Sequence, residues 1–221
     1  MKIRKLINNA RAKVSERVLQ ESVIKKLMYL LVGLYLLLLI IGHIIASLAT
    51  DYTIWDNWIS DLGGSKYTPA PYLYDLACII AGILTIPFTF YMEHFLSPDI
   101  NKTTRMRIRI VESAFIFGFL GAISYIGVGI FSEDRNYYGL HGLFSELAFG
   151  GFTVNAMFTG WFIMLYKTKI PKILGIYGAF GPLTFLILFV IIGNPLFEWL
   201  LLFGILLWII PLSISVFHKR S

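Results

Sequence analysis

Six apolar runs, at about Met28–Thr50, Tyr72–Phe95, Ile108–Phe131, Leu143–Tyr166, Ile173–Gly193 and Leu196–Phe217, dominate this chain. A helix of about 21 residues covers about 31 Å, the thickness of a bilayer's hydrocarbon core, so each run is long enough to span. Of the 221 residues, 57% are hydrophobic and only 14% charged, against about a quarter charged in soluble proteins, which excludes a soluble globular chain. The fold class is therefore all-α, a polytopic membrane protein built as a six-transmembrane-helix bundle with an N-terminal basic amphipathic helix. Residues 1–27 are read as the basic segment, 28–217 as the bundle and 218–221 as a tail.

Orientation follows from the basic residues, which are retained on the cytoplasmic side of short loops. Of the 19 Lys and Arg, 17 lie before the first span, between spans two and three, between spans four and five, or in the tail; Lys66 and Arg135 lie on the other side. The expectation is a cell-membrane protein with both termini cytoplasmic. That orientation accounts for the net charge of +6 without any nucleic acid, which is not expected as a partner. In Met1–Lys26, Ile3, Ile7, Ala10, Val14 and Val18 recur at helical spacing among basic residues, the pattern of a helix lying on an anionic leaflet, or docking on a partner. Ser47-Leu48-Ala49 resembles a cleavage site, but the apolar run before it exceeds the roughly 7–15 residues of a signal sequence, and the span is expected to stay. The Asn101-Lys102-Thr103 sequon falls in an expected cytoplasmic loop and is read as unmodified.

Small residues in the third span (Gly118, Gly121, Gly127, Gly129) and the fifth (Gly175, Gly178, Gly181) predict close helix contacts. Asn155, mid-span, predicts an interhelical hydrogen bond. Asp75, Glu112, Glu146 and Glu198 fall in about the first turn of spans two, three, four and six, where the positive helix end favours a carboxylate; Arg109 is placed to pair with Glu112. Tyr52, Trp55, Tyr72, Tyr74 and Trp199 are read as interfacial anchors. Neither a helical repeat nor a duplication of three plus three spans is visible, and no acid or base lies near the middle of a span, which disfavours ion-coupled transport.

The unexplained polar residues gather on the outer side. Trp55, Trp58, Ile59 and Leu62 predict one apolar face of a short interfacial helix ended by Gly63, with Asp56–Ser60 and Asn57–Asp61 as i,i+4 pairs opposite. The second outer loop brings His141, then Ser145 and Glu146 one turn on. Asp56, Ser60, Asp61, His141, Ser145 and Glu146 form the candidate ligand-binding set. As structural residues, Asp51 would cap a helix, Asp61 bind loop amides and His141 cap the fourth helix. As functional ones, a carboxylate beside an imidazole would hold a headgroup or serve a general base, although no nucleophile motif accompanies them.

Trp58-Ile59-Ser60-Asp61-Leu62-Gly63, the loop with Pro69 and Pro71, the Gly127-Val128-Gly129-Ile130-Phe131 exit from the third span and His141 together resemble the uncharacterised membrane family known as domain of unknown function 998. The resemblance covers nearly all of Met28–Phe217 and leaves the charged N-terminal extension outside. It implies a six-helix membrane domain with Ser60, Asp61 and His141 as family-type positions, and lends no activity.

Three functions compete. A non-catalytic scaffold or accessory subunit of a larger membrane complex, or a binder of lipid or a small molecule at an outward polar site, fits the absence of a catalytic signature. An outward-facing hydrolase-like enzyme using Asp61 and His141 is the alternative. A b-type haem carrier would need His43 with His141 on one side and His94 with His218 on the other, yet His94 and His218 sit at or beyond span ends. The one cysteine, Cys78, excludes internal disulfides and multi-thiolate metal sites. No cofactor and no metal are expected, and membrane lipids are the expected partners.

Overall fold

The computed structural model describes residues 20–97 and 104–218. The amphipathic segment before Gln20 and the sequon at Asn101 lie outside the described residues. Six long helices carry the fold: α1 (Glu21–Ala49), α2 (Tyr72–Leu96), α3 (Arg105–Ile130), α4 (Leu140–Leu165), α5 (Lys172–Ile192) and α6 (Pro195–His218). All six are long and apolar enough to cross a membrane. In lipid every backbone N–H and C=O must be bonded within the protein, and a helix does this within its own length. Helices and short 3-10 turns are the regular elements among the described residues.

Consecutive helices pack as neighbours, and α6 returns to touch both α1 and α4. The small residues set how closely they approach. A Cβ on Gly151 of α4 would lie 2.8 Å from the Gly121 Cα of α3, and one on Gly82 of α2 would lie 2.6 Å from the Ala122 carbonyl. Gly160 of α4 faces Gly175 and Ala179 of α5 in the same way. Asn155 Nδ2 donates to the Ala114 carbonyl across α4 and α3 at 2.6 Å, which is the interhelical bond expected of it. Gly193 ends α5 in the left-handed region, φ +62°, a conformation that costs glycine little.

Charge divides the two ends of the bundle. One end, the basic face, carries the start of α1, the α2–α3 and α4–α5 connections and the end of α6. There Lys172 Nζ donates to the Met164 and Tyr166 carbonyls at 3.0 and 2.7 Å and also to Ile163, closing the C-terminus of α4. The opposite end, the acidic face, carries the 50–71 and 131–139 connections.

The glycine seams predict a steric asymmetry. Gly151→Val should lower thermal stability in detergent by about 1–3 kcal/mol through overpacking, whereas Gly150→Ala, with nothing within 4 Å of its added Cβ, should leave the melting temperature unchanged. Equal behaviour of the two variants would remove the close α3–α4 seam.

Candidate functional site

Side chains take the backbone bonds of the first acidic-face connection. Thr53 and Asn57 close a turn, Asn57 N–H to Thr53 O at 3.0 Å and Thr53 N–H to Asn57 Oδ1 at 3.1 Å. A short 3-10 turn follows at Ile59–Gly63. Asp61 Oδ2 accepts the Trp58 amide at 2.9 Å, and the buried Glu198 Oε2 of α6 accepts the Ile59 amide at 2.7 Å. Tyr52 Oη donates to the Trp58 carbonyl at 2.7 Å and Trp199 Nε1 to the Asn57 carbonyl at 3.1 Å. The amphipathic helix expected over Trp55–Leu62 is therefore replaced by a turn and a 3-10 segment, because the Trp58 and Ile59 amides and the Asn57 carbonyl bond to side chains, and the Trp58 carbonyl takes the Asp61 amide only three residues on. Trp55 consequently stands in solvent while Ile59 and Leu62 are buried. Tyr52, Tyr74 and Trp199, expected at the lipid interface, are buried inside the protein; Trp55 and Tyr72 are exposed.

The second connection is held by Arg135. Its guanidinium meets Asp75 Oδ2 of α2 at 2.6 Å and donates to the Ile130 and Gly129 carbonyls at 2.9 and 3.1 Å, bonding the C-terminus of α3 to the N-terminus of α2. The Asp75 carboxyl and the buried Ser132 hydroxyl neighbour each other in this niche, and a Cβ on Gly63 would lie 3.2 Å from Asp75 Oδ1 and 3.4 Å from Ser132 Cβ. The His141 amide donates to Asn136 Oδ1, and its Nδ1 lies 2.7 Å from the Phe131 carbonyl. A carbonyl only accepts, so Nδ1 carries the hydrogen and Nε2 is the variable position. The buried Nε2 has Glu133 Oε1 at 3.4 Å.

The candidate residues thus separate. Ser60, Asp61 and His141 are buried on the acidic face. Asp56 is exposed and accepts from the Thr53 hydroxyl at 2.7 Å, so its expected pairing with Ser60 is replaced by a bond within the turn. Asn57 Nδ2 reaches Asp61 Oδ2 at 3.5 Å, so that expected pair meets without a helix. Ser145 is half-buried and Glu146 exposed on α4. Among the described residues Asp61 and His141 share no hydrogen bond or ion pair; the carboxylate beside the imidazole is Glu133. Asp75 and Glu198 do lie in first turns. Glu112 and Glu146 do not, because α3 and α4 begin at Arg105 and Leu140, upstream of their apolar runs. Glu112 makes no ion pair with Arg109 among the described residues.

Sequence reasoning left Glu198, Asp75, Glu133, Ser132 and Arg135 outside the candidate set. The available signal was that Arg135 is one of two basic residues on the acidic side, where it needs a carboxylate, and Asp75 stands at the start of the adjoining span. Burial raises the Asp61 carboxyl above its ordinary 3.8, with Glu133 adding to the rise, while the Trp58 amide, Asn57 and Lys66 oppose it. Burial likewise raises the Tyr52 phenol.

Within the bundle lies a cavity of about 100 Å³ bounded by α1, α2, α3, α4 and α6. Its wall is apolar, including Met28, Phe88, Phe149 and Leu206, and its polar side chains are Thr85, Thr89, Asn155, Thr159, Trp208 and the Tyr35–Tyr125 pair, whose hydroxyls meet at 2.6 Å. Cys78 lies beside Tyr74 and Tyr125 and is buried. No group of three or more His, Cys, Asp or Glu suited to a metal occurs among the described residues. His43 packs edge-on against Tyr52 and Trp199, with ring centroids 5.6 and 5.8 Å away, surroundings unlike those of His141. His94 and His218 are exposed.

Arg135→Ala should destabilise the protein by about 1–2 kcal/mol, below the roughly 3–5 of a fully buried pair because the guanidinium is half-exposed; adding Asp75→Asn should recover part of the loss in a double-mutant cycle of thermal unfolding. Additive losses would uncouple the two. For Asp61, a raised native value means that the folded state keeps its proton where the unfolded chain has released it. Stability should therefore fall as the pH rises from 3.8 through the raised value and then level. Asp61→Asn should flatten that segment of the melting-temperature profile, and an unaltered profile would show that Asp61 is not the group responsible.

The family model described as "Protein of unknown function (DUF998)" matches residues 31–215. No curated protein and no solved structure matches the chain. The matched stretch runs from the first span to the end of the sixth, and the chain belongs to the DUF998 family.

Proposed function

We propose that this protein is a non-catalytic binder of an amphipathic molecule of the lipid class, seated in the cell membrane with the basic face and both termini cytoplasmic. The observation that carries the proposal is the cavity among five helices, apolar over most of its wall and supplied with a few neutral hydrogen-bonding groups. At about 100 Å³ the cavity is smaller than the roughly 300–1,000 Å³ of pockets that enclose a whole small molecule, so it would take one apolar segment of such a molecule, oriented by the sparse polar groups. An acyl segment fits the Met28, Phe88 and Phe149 wall, and a hydroxyl or ester fits the Tyr35, Tyr125 and Asn155 side. The positive-inside distribution of basic residues supports the orientation.

Engagement of the acidic-face carboxylates supports a non-catalytic role. Asp61 and Glu198 accept backbone amides and Asp75 pairs with Arg135. A second reading, an outward-facing hydrolase, draws on the buried Nε2 of His141 near Glu133, an imidazole with one nitrogen fixed and the other available for a proton. The role of subunit in a larger complex stands beside both.

Native mass spectrometry after gentle extraction tests these together. The wild type should retain one lipid-class adduct per chain. Ala81→Leu, which grows into the cavity wall, should lose most of it, and His141→Ala should keep it. An empty wild-type chain, or an adduct indifferent to Ala81→Leu, would contradict the binder; loss on His141→Ala would favour the acidic-face site, and co-released protein chains the subunit role.

A further inference from the structure

At the basic face a second pocket, of about 200 Å³, opens between the ends of α2, α3, α4 and α6 and the α4–α5 connection. Among the described residues its lining includes Arg107, Lys167 and Lys169 and no Asp or Glu. The Arg107 guanidinium lies 5.3 Å from the Phe162 ring centroid and 5.1 Å from that of Tyr166, which fixes the plane of the cation. Its Nε is buried and has no hydrogen bond partner. Neither Arg107 nor Lys167 forms an ion pair among the described residues. The α4 C-terminal carbonyls are already bonded by Lys172. An unmet buried donor is costly, and here the Nε of the half-buried Arg107 borders a cavity large enough for an acceptor.

We infer that this pocket is a binding site for a phosphate group, supplied either by the headgroup of an anionic phospholipid or by free phosphate. A fixed guanidinium with additional ammonium groups matches phosphate geometry and charge. The Ser97 and Ser215 hydroxyls on the same lining add neutral donors. Phe95, Leu96 and Val216 give the pocket an apolar side along which the glycerol and first methylenes of a lipid would lie, and basic pockets between membrane helices take up such headgroups. This inference is independent of the central cavity, which is lined by other residues.

The test uses the full chain, stripped of lipid in a neutral detergent and examined by native mass spectrometry with dioctanoyl phosphatidic acid, dioctanoyl phosphatidylcholine or inorganic phosphate. Phosphatidic acid should be retained as a one-to-one adduct at least about tenfold above phosphatidylcholine. Arg107→Gln should lower that retention by about tenfold, the scale of one lost charge-assisted hydrogen bond. Lys167→Gln, at an exposed position that leaves folding intact, should lower it in the same direction, and Arg105→Gln should not. Competition by millimolar inorganic phosphate, lost in Arg107→Gln, would support the site with free phosphate as its source; absence of competition alongside Arg107-dependent lipid retention would support it with the lipid as source. Equal retention of phosphatidylcholine, or retention unchanged in both Arg107→Gln and Lys167→Gln, would overturn it.

Discussion

The Ile59 amide donates to the buried Glu198 carboxylate at 2.7 Å, and the arrangement of the acidic face depends on that bond. A non-helical segment at the end of a membrane bundle carries polar backbone groups that must find partners. Here Glu198 and Trp199, adjacent in α6, hold Ile59 and Asn57, while Tyr52 and Asp61 hold Trp58 from either side. The connection is thereby pinned to the bundle, and its apolar residues Ile59 and Leu62 are buried. Arg135 does the corresponding work for the second connection by joining Asp75 to the last carbonyls of α3.

Polarity then changes in kind along the bundle. Paired and capped carboxylates occupy the acidic face, neutral hydroxyls and the Asn155 amide face the middle, and a cluster of cations borders the opposite pocket. This gradient suits an amphipathic ligand within the helices and an anion at the basic face. Charge in the apolar middle would be costly and would mark an ion pathway; the groups found there hydrogen-bond without charge. Asp61, Asp75 and Glu198 are read as fastenings because they accept hydrogen bonds from Trp58, Arg135 and Ile59, whereas Arg107 borders an open cavity with its Nε unmet.

Much of the fold is legible in the sequence because span length and positive charge are one-dimensional signals. The six helices match the six apolar runs to within a few residues at most ends, and Asn155 makes the bond that a lone amide in lipid requires. Helix starts are less legible. α1, α3 and α4 begin in residues ahead of their apolar runs, which puts Glu112 and Glu146 beyond the first turn. The acidic face is the hardest part, since Trp55–Leu62 has helical spacing but its backbone bonds go to residues as distant as Glu198 and Trp199, and spacing carries no record of such partners. The same long-range packing buries Tyr52, Tyr74 and Trp199, whose positions near span ends read as interfacial. The two cavities depend on gaps among side chains from four or five helices, which no single segment encodes.

Hydrogen exchange over residues 57–64 tests the central fastening most directly. If Glu198 holds the connection to α6, the Ile59 amide should exchange slowly in the wild type and much faster in Glu198→Ala, while amides in the middle of α3 and α4 stay protected in both. Rapid exchange at Ile59 in the wild type, or protection that survives Glu198→Ala, would contradict that role and return the buried carboxylates to the list of groups available for chemistry.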